Sequence, residues 1–438
     1  MSDSIFHPDF KAMPYWWEAW RPTPEGADGA VPSQADVAIV GAGYAGLSAA
    51  IELADNGVIA IVLEANEPGF GASTRSGGAV SGGVNVGKSF SGKSIDSESE
   101  RAAHLLSDAA EAFSLIERII EREKIACFWE MRGRFVGAWT PKHYDTMARR
   151  IEILNRAASS GCTMVSRERQ RDEIASDYYH GGMVVERSAK LHPALYYKGL
   201  LNGARRRRIT ICGKAPVSKI ARNGTKWRLE TGRGVVEANE VVIATNGYTG
   251  DATPRLKRRV IPIASHIIAT EELSPELAAS LIPKGRTLSD TRRVLCYYRM
   301  SPDGKRVIFG GRARFTPVTP QTSAPILHRF MLDRFPQLSG VRVTHAWTGN
   351  VAFTLDAVPH MGRDDGMYYA LGCNGSGIAM MTYLGHQTAR KIVGKANAVC
   401  SFDSPEFPEH PLYNGNPWFL PLVGGYYRLR DKLDRLLA

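Results

Sequence analysis

Gly41, Gly43 and Gly46 stand in the run Gly-Ala-Gly-Tyr-Ala-Gly, and a carboxylate, Glu64, follows close to the ~20-residue distance at which a ribose-binding acid is expected. That spacing suits the holding of a dinucleotide. The first glycine permits a tight turn, the second lets bare backbone reach a pyrophosphate, and the third lets a helix pack closely on a strand. The helix then opens at Tyr44 and Ala45 with unpaired N–H groups facing the phosphate charge. Glu64, with Ala65 behind it, would accept the ribose hydroxyls, and its charge disfavours a 2′-phosphate and hence NADP.

These residues need a strand, a helix and a second strand to position them. Val37-Ala38-Ile39-Val40 is a short apolar run of the kind buried in a parallel sheet. A helix is predicted from near Ala45 to Asn56, with Ala49 and Ala50 on its packing side and Gly57 closing it; a strand follows over 59–63. Helical periodicity recurs over 101–124 and 142–158. Residues 209–246 turn to β, with strands at 209–212, 226–231 and 241–245 and a turn at Asn223-Gly224. Residues 257–315 are strand-rich, with a hairpin turning at Pro302-Asp303-Gly304. The tail, 404–438, begins proline-rich and ends in an amphipathic helix with Leu429, Leu433 and Leu436 on one stripe.

Two further segments choose between NAD and FAD. Residues 241–247 form a strand that ends at Ala244, Thr245 and Gly247, a turn found beside the cofactor in many flavoproteins. Residues 366–394 repeat the strand, glycine loop and helix, with Gly372, Asn374, Gly375, Ser376, Gly377 and Ile378 in the loop. A helix N-terminus there suits the negative charge of a reduced flavin. Only one complete dinucleotide fingerprint is present, so the reading is FAD.

Composition narrows the rest. The chain has 438 residues, enough for two or three domains, and a net charge of +11 from 55 basic and 44 acidic residues. The one dense basic run, Arg205-Arg206-Arg207-Arg208, has no aromatics interleaved and reads as a solvated helix end, so nucleic acid is not expected. Six scattered cysteines, no CxxC pair and no leader pattern point to reduced thiols and a cytoplasmic protein without disulfides or a metal site. No run of 18 apolar residues suggests a transmembrane segment. The pattern implies no oligomeric state.

On these motifs the chain resembles the D-amino-acid-oxidase-like FAD oxidoreductases, which include glycine and sarcosine oxidases, and most of all their γ-glutamylputrescine oxidase branch. The resemblance runs from Tyr15-Trp16-Trp17 through the segment 41–64 to Gly71-Ala72-Ser73-Thr74-Arg75-Ser76-Gly77-Gly78. It continues through Ser289-Asp290-Thr291-Arg292-Arg293, Phe309-Gly310-Gly311-Arg312, Trp347-Thr348-Gly349, residues 354–359, the 372–377 loop and Asn416-Pro417-Trp418-Phe419. It implies an α/β protein with a Rossmann-like FAD-binding domain and an α+β substrate domain built on a mixed or antiparallel sheet, the chain crossing between them several times. The expected division is an arm at 1–34, whose aromatics dock on the body, and an FAD domain at 35–95, 185–256 and 341–398. The substrate domain with a helical excursion takes 96–184 and 257–340, and a tail takes 399–438.

The resemblance also implies oxidation of a C–N bond in a small amine or amino acid, with hydride passing to flavin N5 and the imine then hydrolysed. Electrons would go on to oxygen or to another acceptor. It places Ala72, Ser73, Thr74, Arg75, Ser76, Gly77, Gly78, Val217 and Gly349 against the cofactor. Relatives with covalent flavin use a His after the ribose carboxylate or a Cys before the Asp-x-x-Pro segment. Residues 73–76 and 349–352 contain neither, so FAD is expected to be non-covalent, and Cys373 is read as a small buried residue.

For the substrate, Arg75 would lie near the flavin ring as a catalytic or structural contact. Tyr298 and Arg299 would face the flavin from the hairpin strand, Tyr298 on one side and Tyr297 with Arg299 on the other. Arg299 suits a substrate carboxylate, or else a salt bridge, and Arg312 is a similar candidate. His266 and His345 read as core groups, and Trp347 and Asn350 as the pocket roof. The strand 307–309 has no lysine of the kind that speeds oxygen reduction in relatives, which keeps a quinone- or carrier-linked dehydrogenase as the alternative.

Overall fold

The structure is a computed structural model that describes residues 4–24, 31–81, 99–395, 400–404 and 406–438. The apolar run at the start of the dinucleotide motif becomes the strand Gln34–Val40, the middle of a parallel sheet. Thr210–Cys212, Ala60–Leu63, Gln34–Val40, Gly234–Ile243 and Met367–Leu371 lie side by side in that order, all parallel. The hairpin strands Val217–Asn223 and Lys226–Thr231 pair with the first half of Gly234–Ile243, on the same side as Met367–Leu371, which pairs with its end and carries His360–Asp364; Thr210–Cys212 is the opposite edge.

The helices Tyr44–Asp55, Glu100–Glu123, Pro193–Arg206 and Gly377–Ile392 close over this sheet and share one apolar core with it. Two glycines set how closely they sit. A Cβ on Gly46 would stand 1.9 Å from the Gly41 carbonyl oxygen, and one on Gly385 would stand 2.1 Å from that of Ala45. The helices Tyr44–Asp55 and Gly377–Ile392 therefore meet backbone to backbone, in a crossing that admits no side chain.

A second, nine-stranded sheet is mixed. In order it contains Phe6–Lys11, Val343–Phe353, Ile261–Thr270, Val307–Gly311, Cys296–Met300, Thr287–Asp290, Arg134–Gly137, Gly182–Val185 and Cys162–Val165. Side-chain alternation gives it two distinct faces. One buries Phe135, Ile268, Leu288, Tyr298 and Phe309 under the helix Pro320–Leu332; the other faces the first sheet across a cleft. On the helix face Asp290 is a buried hub. It accepts from Arg334 at 2.7 Å, from Arg292 at 3.1 Å and from the Tyr179 hydroxyl at 3.3 Å. The flanking guanidinium groups hold its carboxyl below the ordinary range even though burial pushes the other way. Breaking such a pair costs about 3–5 kcal/mol because the survivor is left charged and unpartnered.

Several expectations are corrected. The arm is not merely docked: Phe6–Lys11 is a parallel strand on Val343–Phe353, and Trp16 is fully buried. Val343–Phe353 belongs to the nine-stranded sheet, so 341 is not where the chain returns to the parallel one. The stretch 142–158 is two helices, Pro141–Ala148 and Ile151–Ala158. Arg206 and Arg207 are ion-paired with Glu123, and Arg207 also with Asp55, so the basic run pins a helix end to the body instead of standing free.

Two buried histidines bear on pH. His192 caps the helix Pro193–Arg206 by accepting from the Leu195 N–H, and His266 shares a 2.8 Å bond with Thr348 Oγ1. Burial lowers both from 6.5 to about 4, with nearby Arg299 adding to the effect on His192. Between those values the unfolded chain holds more protons than the folded one. Stability should therefore fall as pH drops from 6.5 toward 4, by roughly 3 kcal/mol per histidine when complete. Denaturant unfolding at stepped pH measures this, and an unchanged midpoint across the window contradicts it. Gly385→Ala tests the helix crossing: the added methyl meets backbone and should lower stability by at least about 2 kcal/mol. Wild-type thermal stability in that variant would show that the crossing tolerates a side chain.

Candidate functional site

The adjacent strands Gln34–Val40 and Gly234–Ile243 end together at a cleft of about 420 Å³, the edge at which parallel sheets hold their ligands. Gly41 turns the chain there at φ 105°, where a Cβ would stand 2.9 Å from the Ala244 carbonyl oxygen. The helix Tyr44–Asp55 starts at Gly43 with no side-chain cap, so its first turn is open to an anion. The Tyr44 N–H donates to Ser73 Oγ at 3.2 Å, joining the helix start to the 72–74 turn. Glu64 accepts from the Ala42 N–H at 2.8 Å and the Asn66 N–H at 3.0 Å. Burial raises its pKa, and those N–H groups oppose the rise.

Gly41, Gly43, Tyr44, Ala45, Glu64, Ala65, Ala72, Ser73, Arg75, Ser76, Gly77, Gly78, Val217, Ala244, Thr245, Gly247, Gly349, Gly375, Ser376, Gly377 and Ile378 all line this cleft. Four expected cofactor contacts stand behind the lining instead. Gly46 is the packing glycine. Thr74 is buried, donating to the Gly69 carbonyl and accepting from Trp17. Gly372 and Asn374 brace the second glycine loop: Asn374 accepts from the Thr354 N–H and donates to the Gly372 carbonyl. Asn246, which the motif reading passed over, does similar work. Held at φ 46°, it accepts from the Gly372 N–H at 2.9 Å and so ties the end of Gly234–Ile243 to the loop at the start of Gly377–Ile392.

A bare helix start, a carboxylate at the strand end and a second helix N-terminus on one long cleft fit FAD. Glu64 would take the ribose, the 41–45 backbone the pyrophosphate, and the loops 72–78 and 375–378 the ring.

At the other end of the cleft the strand Cys296–Met300 presents Tyr297 and Arg299. The Tyr297 hydroxyl shares a 2.8 Å bond with Ser265 Oγ, and its ring fills the space that Gly77 and Gly310 leave by lacking a Cβ. Tyr298 points to the opposite face. Its hydroxyl meets that of Tyr179 at 2.8 Å and its ring stacks on Phe309, so its side chain packs in the core behind the strand and does not present its hydroxyl to the cleft. Arg75 is a clip: its guanidinium lies 4.6 Å from the Trp17 ring and 4.7 Å from Phe70, and it donates to the carbonyls of Phe70 and Thr348.

Arg299 is buried, donating to the carbonyls of Met300, Gly78 and Leu191, while its Nη2 has no hydrogen-bond partner among the described residues; burial lowers it to about 10. Arg312 donates to the Arg293 carbonyl and lies 4.8 Å from the Phe353 ring. Arg134, on the strand Arg134–Gly137, also lines the cleft and was not anticipated. It donates to Ser289 Oγ at 2.6 and 3.0 Å and has no ion pair among the described residues. Nothing local marks it, because only the pairing of Arg134–Gly137 with Thr287–Asp290 brings it here. The lining carboxylates are Glu64 and Asp251, and neither belongs to the nine-stranded sheet that carries these arginines. His266 and His345 do not line the cleft; His345 pairs with Glu18.

Residues 36–391 match the family described as FAD dependent oxidoreductase (DAO). The chain is 32% identical over 403 residues to γ-glutamylputrescine oxidoreductase of Escherichia coli (strain K12), covering 91% of this chain and 93% of the relative. It is 31% identical over 387 residues to the probable oxidoreductase OrdL of Haemophilus influenzae, covering 87% and 88%. Among solved structures, glycine oxidase from Geobacillus kaustophilus superposes with a TM-score of 0.72 at 19% identity, covering 87% of this chain and 99% of the other.

Glu64→Arg should purify with little or no FAD, since a cation replaces the ribose acceptor and releases the Ala42 N–H. Cofactor content read by absorbance, with circular dichroism for folding, checks this; a folded variant with full FAD would remove Glu64 from the site.

Proposed function

The chain belongs to the DAO family of FAD-dependent oxidoreductases, and we propose that it oxidises the C–N bond of an amine or amino acid that carries a carboxylate. The single observation that carries the carboxylate is the set of arginines on the cleft face of the nine-stranded sheet. Arg134 and Arg312 are drawn out of bulk water, their hydrogen bonds among the described residues go to a hydroxyl and a carbonyl, and burial lowers both. A guanidinium in such a place is stabilised most by a planar anion that accepts two parallel hydrogen bonds. The Escherichia coli relative is named for γ-glutamylputrescine, and a γ-glutamyl amine carries a carboxylate.

FAD, when bound, supplies the two-electron acceptor for the C–N bond. The chain's own groups bind and orient. Arg299 holds the Gly78 carbonyl and so the end of the loop facing the ring, and Tyr297 and Ser265 supply hydroxyls. Arg134, level with Arg299 across the strands, and Arg312, four residues further along from Ile308, make the wall that receives the acid cationic at both ends. Among the cleft residues neither the 73–76 nor the 349–352 segment has a His or Cys, and Cys373 is buried with its Sγ directed at the Ala352 carbonyl, which supports non-covalent FAD. Six free, buried cysteines fit the reducing cytoplasm. Oxygen closes the cycle in the first reading. A quinone or protein carrier does so in the second, which one observation favours: the cleft-facing positions of Val307–Gly311 are Ile308 and Gly310, with no lysine.

Arg134→Met and Arg312→Met should each lower kcat/KM for a carboxylated amine about 10- to 100-fold, the value of a charge-assisted hydrogen bond. Turnover of the decarboxylated analogue should change little. Equal losses on both substrates would make these arginines structural and remove the support for a carboxylate-bearing substrate.

A further inference from the structure

The C-terminal helix Leu420–Leu436 is seated by one face only. Leu420 and Gly424 pack on Phe315, Asp431 accepts from the backbone N–H groups of Arg293 and Val294, and Arg428 donates to the Ala313 carbonyl. The outer face is apolar and uncovered by any described residue. Leu422, Tyr426, Leu429, Leu433 and Leu436 recur at alternating steps of four and three, all exposed, Leu422 and Leu436 at 71%. Trp418, 59% exposed, and Leu437, 86% exposed, prolong the stripe at its two ends. A stripe of this length on a water-facing helix calls for an apolar partner.

Charge decides which partner. Arg430 and Lys432 flank the leucines and are exposed; Arg430 lies 3.9 Å from Asp434, a carboxylate that is shared with Arg293. Behind them a cavity between this helix, the helix Pro320–Leu332 and the neighbouring loops is lined by Arg314, Arg329, Arg428, Lys432 and Arg435; Arg435 stacks on Trp139 and Tyr178, and its Nη1 has no hydrogen-bond partner among the described residues. Of its two carboxylates, Asp431 is already occupied by backbone N–H groups. Pairing of two copies through the leucines would set Arg430 and Lys432 of each against those of the other, a like-charge contact. A negatively charged surface meets both features at once.

We propose that this helix lies in the plane of an anionic membrane surface. The leucines enter the headgroup boundary, Trp418 and Tyr426 sit at the interface as amphipathic rings do, and the flanking cations meet lipid phosphates. The net charge of +11 adds long-range attraction of the same sign. No described helix is long and apolar enough to cross a membrane, so the contact is peripheral.

The test is co-sedimentation of the full-length holoprotein with vesicles of phosphatidylcholine alone and of phosphatidylcholine mixed with phosphatidylglycerol. Binding to the anionic vesicles should be at least about tenfold tighter than to neutral ones and should weaken with salt. The double variant Leu429→Glu/Leu433→Glu should lose about tenfold or more of that binding, and Arg430→Glu/Lys432→Glu should abolish the preference for anionic lipid, while both keep wild-type flavin absorbance and turnover. No binding to either vesicle, or equal binding by the leucine variant, overturns the proposal. A holoprotein dimer in sedimentation equilibrium that the leucine variant dissolves also overturns it, by giving the stripe to a second copy.

Discussion

Bare backbone meets bare backbone where Gly385 crosses Ala45, and the cleft exists because of that contact. It sets the helices Tyr44–Asp55 and Gly377–Ile392 side by side, so that both N-termini open on the same edge of the parallel sheet. A side chain at the crossing would push the two starts apart. Gly41 and Gly46 apply the same constraint on the strand side of this helix start, where the strand end and helix approach too closely for any Cβ. Two helix N-termini on one cleft make a field for anions. Asn246 then fixes the distance between the second loop and the central strands by a single accepted bond to Gly372.

The opposite wall follows a different rule, that of alternation along strands. Thr287–Asp290 puts Ser289 toward the cleft and Asp290 toward the helix side; Cys296–Met300 puts Tyr297 and Arg299 toward the cleft and Tyr298 away. The acid of this wall thus lies entirely on the structural face, where Arg334 and Arg292 neutralise it. The cleft face keeps cations whose partners are hydroxyls and carbonyls. One sheet therefore buries a closed ion cluster on one side and, on the other, arginines whose hydrogen bonds go to neutral oxygens.

The dinucleotide motif was legible because it is local: turn, helix start and carboxylate lie within 41–64, and each position has its own stereochemical reason. The second glycine loop was legible for the same reason, although its face was not. Asn374 has the residue type of a ligand contact, but its left-handed backbone and its bonds to Thr354 and Gly372 make it a brace. Alternation separated Tyr298 from Tyr297 and Arg299 correctly, yet without the position of the helix Pro320–Leu332 it could not say which side was core. Arg134 and Gly385 were illegible in principle. Their importance comes from partners more than a hundred residues away, Ser289 for one and Ala45 for the other. The leucine stripe of the tail was visible as periodicity, but periodicity does not distinguish a face that packs from one that waits.

Arg299 shows how the two walls are joined. Its guanidinium stays protonated at neutral pH even when burial lowers it to about 10, and it spends two contacts on the carbonyls of Gly78 and Leu191. Gly78 ends the loop from the parallel-sheet side, at φ 74°, so a charge on one wall holds backbone from the other. Carbonyl oxygens are half-partners for a cation: they accept the hydrogen bond but bring no countercharge. With no hydrogen-bond partner at Nη2 among the described residues, the group is anchored without being neutralised. In the proposed reading, an anion held by Arg134, which the strand register sets level with Arg299, would feel this second positive charge as well. The carbonyl anchors keep Arg299 from turning toward it, so on this reading Arg299 acts as a fixed source of field and not as a ligand.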